Sequence, residues 1–434
     1  MNRRVLKLAG PSILANITVP LVGMVDLAIA GRLGDAASIG GIAIATMLFD
    51  LLYWNMGFLR VGTGGYAAQA YGRRDFRDAF RILVQAIGTA LLSAMFIWII
   101  QLAYLETAFL IVECTPQVET LAREYFFIRI WAAPATLSLF VFKGWFIGMQ
   151  NTISPMVIDV TVNVLNLILS IFFGIGMNMG IPGIALGTLL AQYTGLAVAL
   201  ILIFAYYRKL FHYINLKASL KIKEMKNFFV LNGNLFLRST SLLLVYSGFT
   251  SIAARYGDDL LAVSTIMMKL MLLYSYFVDG FAYAGEAIVG RFVGARDIFS
   301  LKKAIRILFI WTFVIAFIST ILYAFAGEPV FRLMTNNPEV LAAAKSYLPW
   351  LLIVPLLSCI AFILDGIFIG ATASVAIRNT MLLSAASFFI SYYALEGMFA
   401  LQALFAAYMV HLVVRTVMMS LLLKREVLAK AEKR

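Results

Sequence analysis

Histidine and cysteine are almost missing from this chain, with two of each among 434 residues. Cys114 and Cys359 stand far apart, and His212 and His411 are isolated, so the sequence offers neither a disulfide framework nor the ligand spacing of a metal site. Charge is scarce as well: 13% of residues are charged and 62% hydrophobic, with a mean hydropathy of +0.91. Soluble globular domains carry about 25% charged residues, so this composition excludes that class and indicates a polytopic integral membrane protein. Catalytic signatures are missing too. There is no His-Glu metal motif, no Gly-x-Ser-x-Gly elbow and no phosphate-binding glycine loop, which argues against an intramembrane enzyme and against a cofactor.

The charges that are present are mostly basic, and the formal net charge is +13. They sit in short stretches beside apolar runs rather than along one soluble face, so membrane topology accounts for them and nucleic acid is not an expected partner. The opening Met-Asn-Arg3-Arg4-Val-Leu-Lys7 has the look of a signal n-region. The apolar run behind it lacks a small-residue cleavage site and contains Pro20 and Asp26, so it reads as a retained first span.

Apolar windows of about 20 residues, enough to cross a bilayer, fall near 8–31, 39–70, 80–105, 124–148, 155–175, 183–206, 228–254, 260–290, 304–326, 346–370, 372–395 and 398–423. They predict an all-α integral membrane protein of about twelve transmembrane helices. Basic residues cluster at 3–7, 73–81, 208–226, 296–306 and 424–434, all on one side of a twelve-span chain. The loops on the other side carry Glu106, Glu113, Glu119, Asp258, Asp259 and Glu396. The positive-inside rule then puts both termini in the cytoplasm.

An internal repeat is visible by eye. Arg32-Leu-Gly34-Asp35 recurs as Arg255-Tyr-Gly257-Asp258, Gly72-Arg-Arg74-Asp75 as Gly294-Ala-Arg296-Asp297, and Gly144-Trp-Phe146-Ile147-Gly148 as Gly366-Ile-Phe368-Ile369-Gly370. Three matches in one order at nearly one shift predict two homologous, pseudo-symmetric six-helix bundles. The expected lobes are 1–206 and 228–434, joined by a basic cytoplasmic linker at 207–227. An even number of spans per copy gives parallel repeats related by an axis along the membrane normal. That is an alternating-access architecture and favours a transporter over a receptor or scaffold.

Asp26 lies in an apolar segment six residues after Pro20. An acid at membrane depth costs about 2.5 kcal/mol or more and marks an ion or substrate path. Pro20 bends the helix and frees the carbonyl of Asn16, which makes it the expected hinge. In the fifth span Asn163, Asn166 and Ser170 share one face, and Thr188 of the sixth can join them. Their oxygens fit a hard cation or a protonated acid, and equally fit polar contacts between helices. The position equivalent to Asp26 in the second half is Phe249, and Lys143 is matched by Asp365. Lys269, Asp279, Glu286 and Asp365 form a weaker candidate polar site there. Asp50, Arg60, Arg129, Lys143, Asp159, Arg291 and Arg378 read as structural pairs or groups that snorkel to water.

With these residues in place, the chain resembles the multidrug and toxic compound extrusion (MATE) transporters, in the DNA-damage-inducible F (DinF) branch. Carriers of the resemblance are Pro20-Leu-Val-Gly-Met-Val-Asp26-Leu-Ala-Ile-Ala-Gly31, Gly57-Phe-Leu-Arg60-Val-Gly62-Thr-Gly, Ala68-Gln69-Ala-Tyr-Gly72, Asp279-Gly-Phe-Ala-Tyr-Ala-Gly-Glu286-Ala and Asp365-Gly-Ile-Phe-Ile-Gly370. The resemblance implies a monomeric antiporter in a bacterial inner membrane that exports amphipathic or cationic organic compounds in exchange for H⁺ or Na⁺. A lipid-precursor flippase of the same wider superfamily is the nearest alternative. The family's first-lobe cation site matches Asp26, Asn166, Ser170 and Thr188 here, with Ser170 standing where the family has a carboxylate. Na⁺ at Asp26, Asn166 and Thr188 is the second option. One acid instead of two favours a proton cycle, because desolvation raises the pKa of a lone buried carboxyl. In that cycle Asp26 protonates from outside and the first helix bends at Pro20. Asp365 resembles a second-lobe aspartate of another branch, without the seventh-span glutamate that accompanies it.

Overall fold

Hydrocarbon offers no water to satisfy backbone N–H and C=O groups, so apolar windows of this length fold as helices that satisfy their own. The computed structural model describes the chain apart from the backbone of 33–35, 113, 214–221, 335–337, 400 and 433–434, and apart from the further side chains of 19–28, 30–32, 36, 222–227, 333 and 398–399. The helices are α1 (Asn2–Arg32), α2 (Ala36–Met56), α3 (Phe58–Arg73), α4 (Phe76–Ile111), α5 (Pro116–Arg129), α6 (Ala133–Gly148), α7 (Ile153–Ile171) and α8 (Gly180–Tyr207). After them come α9 (Ile222–Ala253), α10 (Asp258–Ala295), α11 (Ile298–Met334), α12 (Pro338–Gly370), α13 (Ser374–Phe399) and α14 (Leu401–Leu423). Helices α2 and α3 form one stretch interrupted by a turn at Gly57. Helices α5 and α6 form another, joined by a 3₁₀ turn over Ile130–Ala132 just before Pro134. Among the described residues, eleven helical stretches are long and apolar enough to cross a membrane, and α1 adds a twelfth long helix. The side chains of Pro20 and Asp26 lie outside the described residues.

Several stretches overrun a bilayer. Helix α4 has 36 residues, a length of about 54 Å at 1.5 Å per residue, against a hydrocarbon thickness of about 30 Å. Tilt or an interfacial extension absorbs the excess.

The repeat read from sequence is present in the backbone. A Cβ on Gly144 would lie 2.1 Å from the carbonyl oxygen of Arg60, and one on Gly366 would lie 2.1 Å from that of Ala282. Only glycine lets α6 meet α3, and α12 meet α10, at backbone contact. The turns repeat as well. Arg74 and Arg296 adopt left-handed φ values of 59° and 56°, and Gln150 and Thr372 do so at 64° and 50°. Asp75 and Asp297 then cap the next helix, accepting from the N–H of Asp78 and Ser300, each at 2.9 Å.

The chain packs as two units, one of 14–71 and 75–229, the other of 1–13, 72–74 and 230–434. Packing thus groups the first thirteen residues with the later half. In the earlier unit the core centres on Trp145, Phe80, Phe49 and Phe126, all at most 1% exposed. Trp145 donates from Nε1 to the carbonyl of Ala79 at 2.8 Å, tying α6 to α4. In the other unit Phe249, the counterpart of Asp26, is fully buried edge-on to Phe405 and Tyr408. Its apolar surroundings make that position a packing element.

Candidate functional site

The polar face expected on the fifth span lies on α7, turned toward α8. A Cβ on Gly187 would lie 2.7 Å from the backbone N of Ser170, so the two helices touch there and the polar side chains are enclosed. Asn166, Ser170 and Thr188 are 1%, 0% and 4% exposed. Asn166 donates from Nδ2 to Thr188 Oγ1 at 2.8 Å and, more weakly, to Ser170 Oγ at 3.4 Å. Both hydroxyls in turn donate to the carbonyl of Ile184, at 3.1 Å and 3.5 Å. In this arrangement the amide nitrogen faces both hydroxyls. The Asn166 Oδ1 is left buried and without a donor. A buried amide oxygen in that condition costs about 1–3 kcal/mol, so the arrangement is poised to accept a proton donor or a cation.

Asn163 lies one turn earlier and donates from Nδ2 to Thr18 Oγ1 of α1 at 2.6 Å. Helix α7 is followed by a π-helical turn over Phe172–Gly176, which begins two residues after Ser170, a distortion common at functional sites. The structure therefore joins Asn166, Ser170 and Thr188, and ties Asn163 to α1. Asp26, the fifth member of the expected set, lies outside the described residues.

Of the second-half candidates, Asp279, Glu286 and Asp365 lie along the α10–α12 crossing, where Ala282 meets Gly366 and Glu286 meets Gly370, and Lys269 stands apart. Lys269 is exposed on α10, Asp279 accepts from Ser275 Oγ at 3.4 Å, and Glu286 is fully buried at the α10–α12 crossing, where its carbonyl faces Gly370. Asp365 instead takes two arginines that sequence spacing did not single out. Arg238 of α9 reaches its Oδ2 from Nη2 at 2.5 Å, and Arg415 of α14 reaches the same oxygen from its own Nη2. Lys143 and Asp159 pair at 2.9 Å in the other unit, in keeping with their structural reading.

The MatE family profile matches residues 11–172 and 236–393, well over half of the chain. The chain belongs to the MatE family. DNA damage-inducible protein F of Escherichia coli (strain K12) is 35% identical over 385 residues, covering 88% of this chain and 83% of that protein. Protein DETOXIFICATION 44, chloroplastic, of Arabidopsis thaliana is 24% identical over 86% of this chain and 72% of its own length. The bent form of the Vibrio cholerae MATE transporter VcmN superposes with a TM-score of 0.87 over 99% of this chain and 97% of its own, at 16% identity. That likeness carries the fold.

As a MatE chain the protein is a multi-pass transporter of the lipid bilayer, and its two polar clusters differ in kind. The α7–α8 cluster is neutral among its described members and short of a donor. The α9–α12–α14 cluster carries two guanidiniums on one carboxylate. Arg238 and Arg415 escaped sequence analysis because they lie 127 and 50 residues from Asp365, on separate helices with no shared motif. A signal existed for Arg415: it falls inside the apolar run His411-Leu-Val-Val-Arg415-Thr-Val-Met-Met, eight residues short of the end of α14.

Proposed function

We propose that the chain is a secondary antiporter that exports amphipathic or cationic organic compounds in exchange for inward H⁺, with Asp26 as the group that gains and loses the proton. The observation that carries this reading is the buried Asn166 Oδ1 without a donor. A protonated carboxyl supplies one O–H, and this oxygen supplies the acceptor. The Thr18–Asn163 bond ties α7 to α1, the helix that carries Asp26.

Na⁺ fits the cluster less well. A sodium site gains from carboxylate charge, whereas Asn166, Ser170 and Thr188 are all neutral and leave Asp26 as the single acid. In the proposed cycle, protonation of Asp26 engages Asn166, α1 bends at Pro20, and substrate leaves. Deprotonation toward the cytoplasm resets the lobes, taken as 1–206 and 228–434 with 207–227 between them. Both termini are cytoplasmic in this reading, and the membrane is the inner membrane of a bacterium.

The deciding experiment is dye transport in proteoliposomes under separately imposed pH and Na⁺ gradients. Transport driven by the pH gradient alone, and lost in Asp26→Asn at normal expression, is the expected result. A requirement for Na⁺ at fixed pH would overturn the proton assignment. Undiminished exchange in Asp26→Asn would remove Asp26 from the mechanism.

A further inference from the structure

Arg415 is among the largest fully buried side chains of the protein. Its guanidinium sits 5.3 Å from the centroid of the Phe362 ring and shares one carboxylate oxygen of Asp365 with Arg238. Asp279 of α10 lies near the same Tyr246 as both arginines, so the neighbourhood holds two guanidiniums and two carboxylates. Each arginine spends Nη2 on Asp365, while the Nε of both is buried without an acceptor. A buried N–H without an acceptor costs about 1–3 kcal/mol. One turn before Arg415, on the same face of α14, His411 is 1% exposed and its Nδ1 has no partner.

The cationic groups are graded in depth. Arg378, half-buried near the start of α13, donates from Nη1 to Asn234 Oδ1 at 2.8 Å. Asn234 lies one turn before Arg238 on the same face of α9. Arg238 has 15% of its side chain exposed and Arg415 has 2%. A row of guanidiniums of falling exposure draws an anion inward, and the planar fork matches a carboxylate at its end.

We propose that Arg238 and Arg415 form a binding site for the carboxylate of a zwitterionic or anionic organic solute, entered past Arg378. The assignment rests on the export reading and narrows its substrates: a compound bearing both an apolar body and a carboxylate is a ligand of this unit. The incoming carboxylate takes the unspent Nε donors, while Asp365 holds both arginines through Nη2.

The test uses the full-length purified protein and a matched dye pair, a carboxylate-bearing rhodamine and its methyl ester, with equilibrium binding read by fluorescence anisotropy and no ion gradient. The wild type is expected to bind the acid at least about tenfold more tightly than the ester, the worth of one charge-assisted contact. Arg238→Gln should remove that preference by weakening the acid, with no weakening of the ester. If Arg238→Gln does not fold, Arg238→Lys retains the charge and loses the fork, and should lower the acid-to-ester ratio on its own. Benzoate should displace the acid dye. Equal affinities in the wild type, a parallel change for both dyes in the variants, or displacement by pyrophosphate and not by benzoate would each overturn the assignment. Because binding is read without transport, it stands apart from the export reading, whose failure would appear as an absence of driven exchange for both dyes.

Discussion

Asn166→Ala separates a coupling role from a packing role by its effect on stability. The substitution removes the 2.8 Å bond to Thr188 and the weaker 3.4 Å bond to Ser170. Bonds between membrane helices average about 0.6 kcal/mol, so the loss is about 1 kcal/mol. Three heavy atoms disappear, and the void adds about 1 kcal/mol. Against this, the unpartnered Oδ1 is also removed, a relief of about 1–3 kcal/mol. Thr188 and Ser170 keep their acceptor at Ile184, so no new orphan is created. The net change is expected to lie within about 1 kcal/mol of zero. Driven exchange should nevertheless fall by about tenfold or more, the equivalent of 1.4 kcal/mol of lost coupling. Thermal unfolding in detergent and proteoliposome exchange, measured on the same preparation, read the two quantities. A loss of more than about 3 kcal/mol of stability with unchanged exchange per folded molecule would refute the reasoning and return Asn166 to the role of interhelical contact.

Gly366→Ala should destabilise by about 1–3 kcal/mol, because its Cβ meets the Ala282 carbonyl at 2.1 Å, whereas Gly285→Ala, with its nearest neighbours at 3.6 Å, should be tolerated; equal melting temperatures for the two would contradict the crossing geometry. Asp365→Asn strands the buried guanidinium of Arg415 and the part-buried one of Arg238 and should cost about 3–5 kcal/mol, read as loss of monodisperse protein on gel filtration and a lower melting temperature. At the α10–α11 turn, the Ser300 hydroxyl and then its backbone N–H hold the Asp297 carboxyl below its ordinary value of 3.8. That cap therefore stabilises fully above the ordinary carboxylate range and weakens as pH falls through the lowered value. Asp297→Ala should lose about 1 kcal/mol near neutrality, and its difference from wild type should close in acid. Spin labels flanking the α10–α12 crossing should keep their separation when the pH is stepped, and a change there would contradict a fixed contact.

The helical fold and its duplication were legible in the sequence because both rest on local or repeated signals. Apolar length alone marks a span, and Gly144-Trp-Phe-Ile-Gly148 against Gly366-Ile-Phe-Ile-Gly370 marks a crossing where a side chain cannot fit. Asn166 and Ser170 were legible for the same reason, since four residues on a helix share a face. Thr188 was expected to join them, and the contact at Gly187 is what brings it there. Asp365 shows where such reasoning stops. Its helix offers no cation at helical spacing, and the arginines that neutralise it come from α9 and α14. Grouping it with Lys269, Asp279 and Glu286 followed chain order and charge sign, while the partners were chosen by packing. Lys143 and Asp159 lie only 16 residues apart on adjoining helices, and there the structural reading sufficed.

The glycine crossing at Gly366 and Gly370 gives α12 an unequal mechanical character. At that end, its backbone rests against the carbonyls of Ala282 and Glu286, with no cushion of side chains to shear through. Toward the other end the helix carries Pro349 and Pro355, each of which removes a backbone bond, and hydroxyls of Thr320 and Tyr274 bond the carbonyls of Leu352 and Pro355. The helix is a reed clamped at one end, and Asp365 sits one residue from the clamp. The carboxylate is thus a fixed post, registered to α10 however the upper half flexes. Arg238 and Arg415 ride on other helices, so it is the arginines that would approach or leave the post, and a ligand held between them would sense the distance.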